Sequence, residues 1–362
     1  MSSPVRYTPS VEVIEHDEQQ TVQELVETMT KIQEITYKDG GHAIRSVHAK
    51  SHGLLDVEVI VSAGLPPHLA QGLFAHAGTY PGVMRYSTIP GDLLDDNVST
   101  PRGLALKMMG VEGPRLPGSE GATTQDLVMV NGPAFNAPNA KKFLGTLKQL
   151  ATTTDKGPGL KKALSTALQG VEKVVEALGG KSGTLIAMGG HPETNVLGET
   201  YYTQVPVLYG DYIAKLAVAP SSASLKALTN AKVDLADKPD GLRKAVVDFF
   251  TTQGGQWELQ VQLCTDLEKM PVEDASVQWP EEESPYVTVA RIVAKPQSAW
   301  DASKSAAIDD GLAFSPWHGL ASHRPLGSVM RARKQAYEMS KRFRAEHNRI
   351  AIEEPQKEAA LS

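Results

Sequence analysis

The chain has 362 residues, 41% hydrophobic and 22% charged, with a net charge of −6 and a pI near 6.0. That composition suits a globular chain with room for a large core, and its mild acidity offers no global field for nucleic acid or an anionic membrane. One cysteine, Cys264, excludes an internal disulfide and a cysteine-rich zinc site. No apolar run has the length of a membrane span, and Met1–Arg6 lacks the apolar core of an export signal, so the expected setting is cytoplasmic.

In chain order, residues 18–38 predict a helix, with Val22, Leu25, Val26, Met29 and Ile32 near helical spacing. Strands follow at Val57–Val61, Val83–Thr88, Gly103–Met108 and Asp126–Val130, with a polar loop at 91–102. Residues 139–152 and 158–179 read as helices, the second with Leu160, Leu164, Leu168, Val171 and Val175 on one stripe. Its end, Gly179-Gly180-Lys181-Ser182, is not a phosphate loop, because Val175 stands where that motif needs its first glycine. Residues 199–219 predict a strand pair around the turn Tyr209-Gly210-Asp211, and 222–230 and 240–252 predict helices. Strands return at 256–264, which holds Cys264, and at 285–294. Loops rich in proline and glycine fill 311–327, and a last helix runs from Gly327 to Asn348. Strands, helices, strands and a helix in that order imply an α+β fold with an antiparallel sheet or barrel. The expected organisation is an N-terminal helix and short arm (1–38), one domain over 39–350 with a helical insertion at about 139–182, and a flexible tail (351–362).

The last helix carries Arg333, Tyr337 and Arg344 at offsets of four and seven, which places them on one face. Such a face is often merely solvated. A guanidinium beside a phenol, however, favours the ionised oxygen, and tyrosinate is a known axial ligand of haem iron. Upstream, Arg45-Ser46-Val47-His48 opens onto a strand, and Arg85-Tyr86-Ser87-Thr88 is followed by Pro101-Arg102-Gly103-Leu104-Ala105-Leu106-Lys107. Together they offer one histidine, one hydroxyl able to orient it, and several arginines. By residue type alone a histidine near arginines is more often structural than catalytic.

These segments resemble the haem catalase family, in the family's order. They are joined by Asp126-Leu127-Val128-Met129-Val130-Asn131-Gly132-Pro133-Ala134-Phe135, by Trp257-Glu258-Leu259-Gln260-Val261-Gln262 with Trp279-Pro280, by Ala313-Phe314-Ser315-Pro316 and by Arg333 with Tyr337. The resemblance spans roughly 40 to 348. It implies a catalase-like antiparallel β-barrel core with surrounding helices and a C-terminal haem-ligating helix. It implies haem, expected as haem b, with Tyr337 as proximal iron ligand and Arg333 keeping it a phenolate. His48 becomes the distal acid–base residue, with Ser87 fixing its ring and Asn131 as the second distal polar group. Arg45, Arg85 and Arg344 become partners of the haem propionates, and Phe135 flanks the distal cavity.

The sequence departs from the family at three distal places. Val130 stands where the distal asparagine belongs and Asn131 one place later, Thr100 replaces an acidic residue of the main channel, and Leu104 replaces a phenylalanine of the approach. The chain is also much shorter than typical catalases, resembling the small catalase-related haem proteins. The expected function is haem-dependent decomposition of hydrogen peroxide, of catalase or peroxidase type, by a homo-oligomer (dimer or tetramer) with no nucleic-acid partner and no membrane span. Val47, before the histidine, fits that reading. The alternatives are conversion of organic or fatty-acid hydroperoxides in the manner of an allene oxide synthase, which Leu104, Val130 and Thr100 favour, and non-catalytic haem binding. His52 is a further polar group near the distal mouth, while His318 and His323 are expected to be structural or exposed.

Overall fold

The computed structural model describes residues 3–151 and 191–355; the expected helix at 158–179 and Gly179–Ser182 lie outside them. Four antiparallel strands, β1 (Ser51–Val61), β2 (Gly78–Thr88), β3 (Arg102–Met109) and β4 (Thr124–Val130), are followed by β5 (Tyr201–Tyr202) and the hairpin of β6 (Val207–Tyr209) and β7 (Tyr212–Pro220). Strands β8 (Gly255–Leu263) and β9 (Val287–Ala294) complete the sheet. Strand β1 pairs with β9, and the two-residue β5 bridges β4 to β7, so eight antiparallel strands close into a barrel with β6 beside β7. Closure removes the exposed edges of an open sheet. Gly210 turns the hairpin at φ 61°, a conformation open to glycine at no steric cost.

The alternation of each strand separates two environments. Leu55, Val57, Met84, Tyr86, Leu104, Leu106, Leu127 and Met129 fill the barrel. The opposite parity (Leu54, Val83, Ala105 and Met109) faces outward onto Ile308, Leu312 and Phe314. The register pairs Arg85 with Ala105 and Ala105 with Val128, and Ser87 with Gly103, so these residues share the outer face.

Helix α1 (Glu18–Gly40) buries the expected stripe of Val22, Leu25, Met29 and Ile32. It packs on α2 (Ala140–Ala151) and on α4 (Ser328–Asn348), which contributes Ala332, Ala336, Met339 and Phe343. Helix α3 (Gly241–Thr252) joins Leu242, Val246 and Phe250 to the barrel core. The helix expected over 222–230 is one turn, Ala223–Lys226, because the chain then leaves to bridge Thr194 to Lys232. None of the described helices is long and apolar enough to cross a membrane.

The expected flexible tail is packed as far as Pro355. Ile352 is buried, and Glu354 reaches a charge cluster on the outer face of the barrel. There Lys107, fully buried, donates to Asp126 at 2.7 and 2.9 Å and to Glu354 at 2.6 Å. His318, expected to be structural or exposed, lies 3.2 Å from Asp126 and 3.0 Å from Glu354. Burial alone disfavours the charged form of His318, but its bonds to Asp126 and Glu354 outweigh that and raise its pKa. Burial works against the Glu354 charge too, and the His318 bond and the Lys107 charge overcome it and lower its pKa.

Removing Lys107 leaves the buried Asp126 and Glu354 with His318 as their nearest counter-charge, so Lys107→Met is expected to cost about 3–5 kcal/mol, read from urea unfolding. The tail also carries a pH signature. The His318 contribution is complete below its unfolded pKa of 6.5 and fades as pH rises through the raised folded value. That of Glu354 is complete above 4.5 and is lost as pH falls through the depressed one. Amide-exchange protection factors across 350–355 are therefore expected to be greatest between these values and to decline on both sides.

Candidate functional site

A cleft lies between the outer barrel face and helices α1 and α4. Met29 of α1, Ser87, Gly103, Ala105 and Val128 of the barrel, and Ala336, Tyr337 and Arg344 of α4 line it, together with Arg45, Val47, His48 and Phe314. Small residues on adjacent strands give the barrel side a low floor.

His48 enters from the loop before β1 with φ 55°, the left-handed region that a non-glycine residue adopts at a cost. Backbone bonds from His48 N to Ile89 O (2.7 Å) and from Ala49 N to Pro90 O (3.0 Å) hold it there. Its Nδ1 lies 3.0 Å from Ser87 Oγ, as expected, and Nε2 has no protein partner among the described residues. The ring lies directly over Gly103: a Cβ there would stand 2.3 Å from Nδ1 and 2.4 Å from Cε1. Burial, then the charges of Arg85, Arg333 and Arg45, push the His48 pKa down to about 3, so the imidazole is neutral.

On α4, Arg333 donates to Tyr337 Oη at 2.7 Å, and its guanidinium lies 5.1 Å from the ring centre. The helical offset read from the sequence is thus a direct contact. Tyr337 lines the cleft, and Arg333 stands behind it, with a second bond to Met330 Sδ (3.5 Å).

Arg45, Arg85 and Arg344 converge on the π-helical turn Ser305–Asp310. Arg85 Nε donates to Asp309 Oδ1 (2.7 Å), and Arg45 and Arg344 both donate to the backbone oxygen of Asp309 (2.7 Å each). They share Leu312 O as well, at 3.0 and 3.1 Å. Ser51 and Ser305 donate to Asp309 Oδ2 at 2.6 and 2.9 Å. Burial disfavours the Asp309 charge, but Arg85 and Arg45 overcome it and hold the carboxyl at about 2. Arg344 is pushed down to about 10 by burial and by Arg85, and Arg45 is lowered by burial, Arg85 and Arg344. The neighbouring Asp310 turns to His42, 2.8 Å away. Three guanidinium groups meet the carboxylate of Asp309 directly and feel that of Asp310 nearby, an excess of positive charge, and Arg344 Nε is buried with no partner among the described residues.

Asn131 and Phe135 are not among the cleft-lining residues. The Asn131 amide is spent elsewhere: Oδ1 accepts from Arg102 N (2.8 Å), and Nδ2 contacts His191 Nε2 (2.8 Å) and Glu199. Phe135 packs on Phe143 and the barrel core, 5.0 Å between ring centres. Leu104 packs in the barrel core and also borders the cleft. Thr100 is buried with its hydroxyl unpaired. His52 is wholly buried, 3.2 Å from Thr88 Oγ1, and His323 accepts from Leu73 N at 2.9 Å; neither lines the cleft. The sequence reading passed over the roles of Gly103 and Asp309. A glycine inside a strand is itself a signal of close approach; nothing local marks Asp309.

No family model and no curated protein matches the chain. Solved structures do. A fungal catalase is 18% identical at TM-score 0.60, over 86% of this chain and 61% of its own. Catalase A from Saccharomyces cerevisiae is 18% identical at 0.60, over 85% and 62%. A bacterial catalase is 15% identical at 0.58, over 96% and 64%. The chain therefore has the catalase-like α+β fold expected from its motifs, and it spans about three fifths of the length of these relatives.

Gly103→Ala tests the packing of the site. A methyl group has no room under His48, so the ring must leave Ser87. Expected outcomes are a changed imidazole nitrogen signal for His48 by NMR and a stability loss of about 1–3 kcal/mol.

Proposed function

We propose that this chain is a haem-dependent enzyme of catalase or peroxidase type that decomposes hydrogen peroxide. The observation that carries the reading is the cleft itself. A neutral histidine and an arginine-bonded tyrosine line one cavity, at whose edge three buried arginines outnumber the carboxylates that face them.

These residues fit haem. Its carboxylates would suit the excess positive charge of Arg45, Arg85 and Arg344, where Arg344 Nε is without an acceptor. Ala105 and Val128 give the cleft an apolar barrel wall, and Tyr337 supplies an oxygen donor of the kind that binds ferric iron. Arg45, Arg85 and Arg344 would hold the carboxylates, and Tyr337 would hold the metal, with Arg333 stabilising negative charge on Oη through its hydrogen bond. When bound, haem supplies the redox chemistry.

The protein's own share is proton handling. Nε2 of a neutral His48 accepts a proton from one peroxide oxygen and returns it to the other, which then leaves as water rather than hydroxide. The low pKa disfavours the first transfer and favours the return, since burial and three arginines oppose the charged ring. Ser87 and Gly103 keep the ring in one orientation during both transfers.

One observation favours a second reading, conversion of organic or fatty-acid hydroperoxides. With the Asn131 amide committed to Arg102, His191 and Glu199, the cleft presents Val47, Val128, Met29 and Phe314 beside His48. Parallel turnover of H₂O₂ and of a fatty-acid hydroperoxide separates the two.

Purified protein is expected to show the absorption of a high-spin ferric haem with a phenolate ligand, and Tyr337→Phe to lose it. His48→Ala should keep the spectrum while peroxide turnover falls by about 10²–10⁴. With burial and the charges of Arg85, Arg333 and Arg45 pushing the His48 pKa down to about 3, no histidine step is expected between pH 5 and 8 in the wild-type rate. A wild-type protein that consumes neither peroxide faster than free haem overturns both enzymatic readings and leaves haem binding alone.

A further inference from the structure

The arginine cradle contains a carboxylate of the protein's own. Asp309 accepts from Arg85, Ser51 and Ser305 through its side chain and is held at the cleft edge by a π-helical turn. The wider helical turn there aims the carbonyls of Ile308, Asp309 and Leu312 at Arg45 and Arg344. Backbone oxygens therefore fix two of the guanidinium groups, and Ala49 O fixes the third through Arg85 (3.0 Å). These anchors do not depend on the Asp309 charge. What the charge does is offset one of three buried cations that otherwise repel one another across the cleft.

We propose that Asp309 is a positioning residue that acts as a resident counter-carboxylate: it stabilises the cofactor-free cradle and competes with a bound porphyrin dicarboxylate for the same arginines. The inference rests on the haem reading above. It gives opposite signs for stability and affinity. Asp309→Asn keeps the shape and removes one negative charge from among three cations, so the cofactor-free chain becomes less stable. A dianion then meets one more unbalanced positive charge and binds more tightly.

The test uses the full chain freed of bound porphyrin and two probes, metal-free protoporphyrin IX and its dimethyl ester, titrated by tryptophan quenching. Neither probe needs Tyr337 or turnover. For D309N the expected results are a melting temperature lower by about 2–8 °C, affinity for the diacid about 3- to 30-fold tighter, and unchanged affinity for the ester. Asp309→Glu, which keeps the charge, should retain the wild-type ratio of diacid to ester affinity. A merely structural role predicts that D309N weakens both probes alike, and that result, or an unchanged diacid affinity, overturns the proposal while leaving the haem reading standing. If the wild type binds neither probe, the haem reading and the proposal fall together. Should D309N not fold alone, refolding with the diacid must recover it and refolding with the ester must not; recovery by both or by neither sinks the idea.

Discussion

The register of β2, β3 and β4 is the constraint on which the site depends. Arg85, Ala105 and Val128 align across three strands, and Ser87 faces Gly103 one step along. Because side chains alternate, a slip of one residue would send Arg85 and Ser87 into the barrel and Tyr86 and Leu104 into the cleft. The core prevents that slip: Met84, Tyr86, Leu104, Leu106 and Met129 are almost completely buried, and each would have to trade places with a polar or small residue. The packing that closes the barrel thus also sets where an imidazole, a hydroxyl and a guanidinium meet outside it.

Two buried ionic clusters share that outer face, and their balance sets them apart. Lys107, Asp126, Glu354 and His318 are closed on themselves, with two cationic groups against two carboxylates once His318 is protonated. Asp126, His318 and Glu354 have the spacing of metal ligands, but the Lys107 ammonium already lies against both carboxylates, so the cluster needs no ion. The Arg45, Arg85 and Arg344 cluster is open, since Asp309 and the nearby Asp310 do not balance three guanidinium groups. A buried charge without a partner is costly, so the open cluster is where a dianion gains most. Phe314 stands between them, 5.6 Å from Lys107 Nζ and 6.0 Å from the Arg45 guanidinium, a shared wall between anchor and cleft.

What was legible in the sequence is local or repetitive. The α1 stripe, the cores of β2 to β4 and β8, and the four-residue offset of Arg333 and Tyr337 each follow from a period along one element. The pairing of His48 with Ser87 came from order and resemblance rather than period. What escaped is non-local. Barrel closure rests on a two-residue strand too short to show alternation. The packing of the tail depends on a lysine 247 positions away. Asn131 looked available as a distal donor because its competitors, His191 and Glu199, are distant in sequence. Asp309 reads as an ordinary acidic residue until Arg45, Arg85 and Arg344 are folded around it.

The backbone at His48 gives this arrangement its direction. A non-glycine residue at φ 55° costs of order 1–3 kcal/mol, and a neutral ring at the bottom of a cationic cleft gains nothing from the charges around it. Neither feature stabilises the fold. The surroundings nevertheless over-determine the position, with two backbone bonds at the base, Ser87 at Nδ1 and a glycine whose missing side chain the ring occupies. A core histidine satisfied for its own sake, as His323 is by the Leu73 amide, needs none of that. Strain held in place by four independent contacts, with Nε2 left without a protein partner among the described residues, supports the proposed use of His48 in proton transfer.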